Sequence, residues 1–166
     1  MEDKVFINGR SAEIERKWLI QLPDMSVMEN MPGYECSAIE QIYLSDSDRI
    51  RRRDYGDRIV YYHTHKENIN GISRFEEERE ITRAEYMTLS KKRLPGARSI
   101  NKRRHCFEYC GQIVEIDIYD FWSDTATMEI ELKSEDQQVF IPDFIEVIKE
   151  VTGDKNYSNY GLATNY

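Results

Sequence analysis

Six short runs of this chain set like charges two residues apart: Glu13/Glu15, Arg51/Arg53, Glu76/Glu78, Lys102/Arg104, Glu115/Asp117 and Glu129/Glu131. In a β-strand, residues i and i+2 share a face, so each run aims two like charges in one direction. In two of the runs the opposite face is apolar: Val114, Ile116 and Ile118 flank one acidic pair, and Met128, Ile130 and Leu132 flank another. Four pairs are acidic and two are basic, so a sheet that gathers them can hold cations and anions in one place.

The rest of the chain supplies the strands such a sheet needs. A first strand is expected over 13–20, after a polar N-terminal extension at 1–12. The segment 21–37, with Pro23, Pro32 and Gly33, reads as a loop holding at most a short helix. Strand-like runs follow at 39–44, 48–54, 58–66 and 72–81, with turns at Tyr55-Gly56-Asp57 and Asn68–Gly71. Thr82 with Glu85 forms a capping box that opens a helix over 83–93, stopped by Leu94-Pro95-Gly96. Further strands are expected at 98–109, 113–120 and 125–133. Ser134 with Gln137 reads as a second capping box opening a short helix, and Phe144, Ile145, Ile148 and Val151 carry helical spacing over 143–151. With no linker or repeat, residues 13–166 read as one domain, mainly β in an α+β setting. About eight short strands suggest an antiparallel sheet closed on itself as a barrel, with helices flanking its outside. Closure matters, because an open sheet would present its charged face to water, whereas a barrel gathers those charges around a lumen.

Composition narrows the function. The 166 residues are 40% hydrophobic and 33% charged, which suits a globular chain with a real core. A formal net charge of -8 argues against a broadly basic nucleic-acid surface. The basic residues are nonetheless concentrated, at Arg49 to Arg53 and at Lys102 to Arg104, so a local anion site stays open. Three cysteines without framework spacing point to free thiols in a reducing, cytoplasmic compartment. No run of residues is apolar enough to suggest a leader or a membrane span, so no membrane partner is expected.

For one like-charge pair alone, a solvated sheet face with cross-strand ion pairs is the better explanation. Six pairs change that balance. Acidic pairs outnumber basic ones, so mutual neutralisation leaves carboxylates over, and close carboxylates repel unless a cation sits between them. Oxygen-only donors suit Mg²⁺ or Mn²⁺. The Arg/Lys pairs match phosphate oxygens. Metal plus cationic clamps is the logic of a polyphosphate site.

Glu13-Ile14-Glu15-Arg16-Lys17 is an ExExK motif, and it resembles the signature of the triphosphate tunnel metalloenzymes, the CYTH superfamily. The resemblance continues in order through QIYL (41–44), RIRRR (49–53), Lys66, Glu76/Glu78, Lys102/Arg104, Glu115/Asp117, MEIELKSED (128–136) and EVTGDKNYSNYGLA (150–163). It implies an eight-stranded antiparallel tunnel around a triphosphate and a divalent metal. Carried onto these residues, it makes Glu13, Glu15, Asp117, Glu129 and Glu131 the metal ligands. Lys17, Arg51, Arg53, Lys66, Lys102 and Arg104 would grip the phosphates, and Lys155 would close the tunnel mouth. Glu76, Glu78 and Glu115 would support them. Tyr43 with Lys102 nearby, or a carboxylate beside the metal, would serve as base, and Lys17 completes the catalytic candidates.

The EIERK form and compact length look most like the bacterial inorganic triphosphatases, which implies hydrolysis of tripolyphosphate with release of its terminal phosphate. Thiamine triphosphatase and class IV adenylate cyclase are the alternatives within the same fold. A non-catalytic polyphosphate or nucleotide binder is the alternative outside enzymes. The partner is a small triphosphate, and monomer and homodimer are equally open.

Overall fold

The computed structural model describes residues 5–166. Ten strands form one sheet, and two of them, β1 (Val5–Ile7) and β10 (Val147–Glu150), only extend β2 (Arg10–Gln21). The other eight close into a ring. From β2 it passes through β6 (Ser73–Ile81), β5 (Ile59–Asn68), β4 (Asp48–Asp54), β3 (Glu35–Tyr43), β7 (Ile100–Tyr109), β8 (Gln112–Tyr119) and β9 (Thr125–Glu131), and β9 pairs back onto β2. All of these pairings are antiparallel. The expected closed antiparallel barrel is therefore the observed fold.

β2 makes the closure possible through its length. Ala12–Ile14 pair with β6, and Glu15–Gln21 pair with β9. Where β6 turns away, the free edge of β2 is taken by β10, which pairs with Trp18, Leu19 and Ile20. That demand corrects the helix expected over 143–151. Val147–Glu150 is a strand, and Ile145 drops into the core. Unpaired β2 backbone groups would be costly in this partly buried setting, so the ladder outweighs local helical spacing. No helix forms after Ser134 either: Gln137 caps the Lys133 amide with its side chain, and Glu135 reaches across to Asn70 and Ser73.

The N-terminal stretch differs too. Residues 1–4 lie outside the described residues. Val5–Ile7, by contrast, forms a hairpin with Arg10–Ala12 through Asn8 and Gly9, at φ 52° and 77°. Two positive φ values define the turn that matches strand twist, and Asn-Gly is its preferred sequence.

The apolar core lies outside the barrel wall. Ile14, Trp18, Ile20, Phe107, Val114, Ile116, Met128 and Ile130 belong to one buried cluster, facing away from the charged residues of the same strands. They are covered by Met28 of α1 (Met25–Glu29) and by Leu132, Ile145 and Phe144, so irregular segments do most of this covering rather than helices. α2 (Arg83–Ser90), capped by the Thr82/Glu85 box, covers a second cluster of Ile42, Ile50, Ile81 and Tyr86. α3 (Asn159–Thr164) lies over one end of the barrel, where Leu162 and Ala163 pack on Tyr43, Ile100 and Tyr119. Arg98 fastens it there, donating Nε to the Leu162 carbonyl and its backbone N–H to that of Ala163.

Candidate active site

With the apolar faces turned outward, alternation sends the charged faces into the bore. The bore holds a cavity of about 1160 Å³. Lining it are Glu13, Glu15 and Lys17 from β2, Arg51 and Arg53 from β4, and Lys66 from β5. Glu76 and Glu78 join from β6, Arg104 from β7, Glu115 from β8, and Glu129 and Glu131 from β9. Tyr43 reaches it from β3, and Lys155 from a 3₁₀ turn at Lys155–Tyr157. Of the residues singled out in the sequence, only Lys102 and Asp117 are not part of this lining.

Those two sit deeper, in the wall. Asp117 is 1% exposed and accepts from Lys102 Nζ at 2.6 Å and from Arg104 Nε and Nη2 at 2.8 Å each. Burial opposes the charge on Asp117, but Arg104 and Lys102 together hold its carboxyl well below the usual range. Lys102 is the weaker member. Burial and the adjacent Arg104 bring its amine down to about 7, against the pull of Asp117. Asp117 thus braces two cations, and all its short contacts are to them. Lys102 stands opposite Ile39 on β3, four residues along that strand from Tyr43, and its Nζ lies 5.7 Å from the ring centre of Tyr119, which packs in the same cluster as Tyr43.

Inside the bore, most of the carboxylates are met by cations. Lys17 Nζ lies 2.9 Å from Glu129, and although burial works against its charge, Glu129 raises its pKa. Burial would raise the pKa of Glu129 in turn, but Lys17 and Arg104 keep it well below normal. Arg104 also reaches Glu115 at 2.6 Å. Burial leaves the Glu115 carboxyl raised even so, with Glu129 and Asp117 adding to the effect. Arg51 pairs with Glu78 at 3.0 Å, and Lys66 pairs with Glu76 at 2.9 Å. Burial and the neighbouring Arg49 and Arg74 lower Lys66. The Glu76 carboxyl falls to about 2, because Lys66 and Arg49 overcome its burial.

Three bore residues were not picked out by the sequence reading. Arg49 is 7% exposed and makes no ion pair among the described residues, and its Nε has no partner. The period-two series Arg49/Arg51/Arg53 was the available signal. Gln41 is 1% exposed and both amide atoms lack partners; it lies two residues before Tyr43, on the same face. Arg74 stands opposite Glu13 and contacts both Glu13 and Glu15, and its position two residues before Glu76 marks it as inward-facing. The three histidines keep to the outer wall: His63 and His65 both lie 3.2 Å from Asp48, and His105 pairs with the Tyr34 hydroxyl.

The donor chemistry fits a hard divalent cation. Glu15 stands directly opposite Glu131, and Glu115 opposite Glu129. Like charges in register repel unless a cation lies between them. Among the described residues no three such side chains converge as a finished cage. Arg74, Lys17 and Arg104 supply the compensating charge instead.

A family description, the CYTH domain, matches residues 11–155. Among solved structures, the hypothetical protein NE1496 is 30% identical, with a TM-score of 0.57, over 92% of this chain and 97% of that one. The structure described as the inorganic triphosphatase NE1496 is 28% identical, with a TM-score of 0.60, over 98% of each chain. The PH1012 protein from Pyrococcus horikoshii OT3 is 16% identical, with a TM-score of 0.51, over 74% of this chain and 80% of that one, a likeness of fold alone. No curated protein matches the chain.

Proposed function

The chain belongs to the CYTH domain family, and on that footing we propose that it hydrolyses inorganic tripolyphosphate to pyrophosphate and phosphate with Mg²⁺ or Mn²⁺. One observation carries the choice of substrate: the bore offers charge and almost no free aromatic face. Of the aromatics that line it, Tyr62 carries Arg51 at 5.3 Å, Tyr55 carries Arg53 at 4.8 Å and Arg58 at 4.1 Å, and Tyr43 and Tyr160 meet edge to face at 5.3 Å; Phe75, outside the lining, carries Arg10 at 4.0 Å. Tyr61 is packed on Tyr86, outside the barrel. A nucleobase or thiamine ring would find its stacking surfaces taken, whereas a bare phosphate chain needs none. The similarity to the structure described as an inorganic triphosphatase supports the same reading.

In this mechanism Arg49, Arg51, Lys17 and Arg104 hold the phosphate chain, and Lys66 adds a cation from β5, the strand next to β4. Arg53 acts nearer the rim, where it bonds Ser37 and lies 3.8 Å from Glu35. Glu13, Glu15, Glu129 and Glu131 would hold a divalent metal, which would supply screening of the negative charge that develops during phosphoryl transfer. Lys102 and Asp117 act through Arg104: their ion pairs fix the guanidinium in place. A carboxylate of the β2–β9 wall orients the attacking water. Lys155 closes the end next to α3. Free thiols at Cys36, Cys106 and Cys110 suit a cytoplasmic setting, and among the described residues no helix is long and apolar enough to cross a membrane.

A panel of tripolyphosphate, ATP and thiamine triphosphate, each with Mg²⁺ and Mn²⁺, tests the proposal. Phosphate release should be fastest from tripolyphosphate and should be lost in Lys17→Ala. Faster release from ATP or thiamine triphosphate would reject the substrate while leaving the tunnel intact.

A further inference from the structure

The guanidinium of Arg74 occupies the space between the two carboxylates of the ExExK motif. Nη2 and Nε reach Glu13 Oε2 at 2.7 Å and 3.1 Å, and Nη1 reaches Glu15 Oε1 at 2.7 Å. Its Nε lies 3.8 Å from Glu76. This is a planar fork spanning two carboxylates at charge-assisted distances, in a partly buried setting where such contacts are strong. β6 delivers it there by register, since Arg74 pairs with Glu13 at the barrel seam.

We propose that Arg74 stands in for the metal in the empty tunnel, so that a divalent cation seats on Glu13 and Glu15 only when polyphosphate draws the guanidinium away. The inference rests on the metal-binding role given to those glutamates above. Three features of the wall lead to it. Glu13 and Glu15 share one face and repel each other, and Arg74 sets a positive charge between them, with Lys66 3.7 Å from Glu13 as a second, more distant cation. A divalent ion arriving alone would meet that guanidinium at contact range and be repelled. A metal–phosphate complex arrives with anionic oxygens that offer Arg74 a bidentate partner in exchange. The same contacts account for the lack of a finished cation cage among the described residues. The working ligand is then the metal–triphosphate complex, and free metal binds weakly.

The test is Mn²⁺ alone, titrated into the full chain by calorimetry without phosphate. Arg74→Gln should bind Mn²⁺ at least about tenfold more tightly than the wild type, each tenfold being ~1.4 kcal/mol. Arg74→Lys keeps the charge but loses the fork, can span only one carboxylate, and should tighten binding by less; it also covers the case in which the glutamine variant does not fold. Unchanged or weaker Mn²⁺ binding in the folded variants would overturn the proposal. The outcome is separable from that of the substrate panel. Tighter Mn²⁺ binding in a protein that ignores tripolyphosphate keeps the Arg74 switch and removes the substrate. Tripolyphosphate turnover with Mn²⁺ affinity unmoved by Arg74 does the reverse.

Discussion

Replacing Asp117 by Asn separates two roles that one carboxylate could play. The sequence resemblance makes Asp117 a metal ligand, and the structure surrounds it with Lys102 and Arg104 in the wall. Asn keeps the shape and removes the charge. Two buried cations then share no anion at that point, and breaking a buried ion pair from one side costs about 3–5 kcal/mol. The lower end applies here for two reasons. Arg104 retains Glu115 at 2.6 Å and Glu129 at 3.5 Å. Lys102, already down to about 7, sheds its proton readily near neutral pH. A loss of about 3 kcal/mol lowers the melting temperature of a chain this size by roughly 6–12 °C. The assay is thermal unfolding followed by circular dichroism, without metal. Adding Lys102→Met to Asp117→Asn removes one stranded cation and should recover part of the loss. A fall of under about 2 °C, together with markedly weaker Mn²⁺ binding, would refute the bracing role, because so small a change is what an exposed, unpaired site gives.

Gln41→Met should stabilise the ligand-free protein by about 1–3 kcal/mol, because it removes two buried amide atoms without partners; it should also raise KM for tripolyphosphate. A lowered urea midpoint would show that the amide has a partner after all. Glu76 has its folded pKa at about 2, below its ordinary 4.5, so its contribution to stability is full above 4.5 and is lost as pH falls toward 2. Glu76→Gln should therefore flatten that limb of the stability–pH curve, and an unchanged limb would place the acid sensitivity elsewhere. Arg98→Ala removes the side-chain clasp on the Leu162 carbonyl and the stacking of Arg98 on Phe121 at 3.8 Å. Hydrogen exchange over 159–164 should accelerate while the ring strands stay protected; equal rates in both proteins would mean that packing alone holds α3.

The ring strands were legible because charge and apolarity alternate along them, and period-two alternation has one geometric meaning. The inside-out core follows from the same pattern, since Met128 and Ile130 can be buried only if Glu129 and Glu131 face the other way. What the local pattern could not show was demand from a distant strand. Phe144, Ile145, Ile148 and Val151 satisfy helical spacing, yet Val147–Glu150 is strand because β2 has a free edge there. Depth was equally hidden. Lys102 and Arg104 share a face and both end on Asp117, but only Arg104 lines the cavity, the Lys102 side chain being fully covered. The inward-facing Arg49, Gln41 and Arg74 follow from the same alternation as Arg51, Tyr43 and Glu76, and the like-charge pairs drew attention past them. Asn8-Gly9 carried its hairpin signal openly, inside a stretch whose polarity suggested an extension.

The central claim is that the ionic wall of this barrel exists to enclose a phosphate chain. A crystal structure with tripolyphosphate and Mn²⁺, using the anomalous signal to place the ion, tests it most directly. The account predicts phosphate density in the bore between Arg49 and Arg51 on one side and Lys17 and Arg104 on the other, with Mn²⁺ on the β2–β9 glutamates and Arg74 turned away from Glu13. Phosphate bound only on the outer wall, with the bore unchanged, would contradict it.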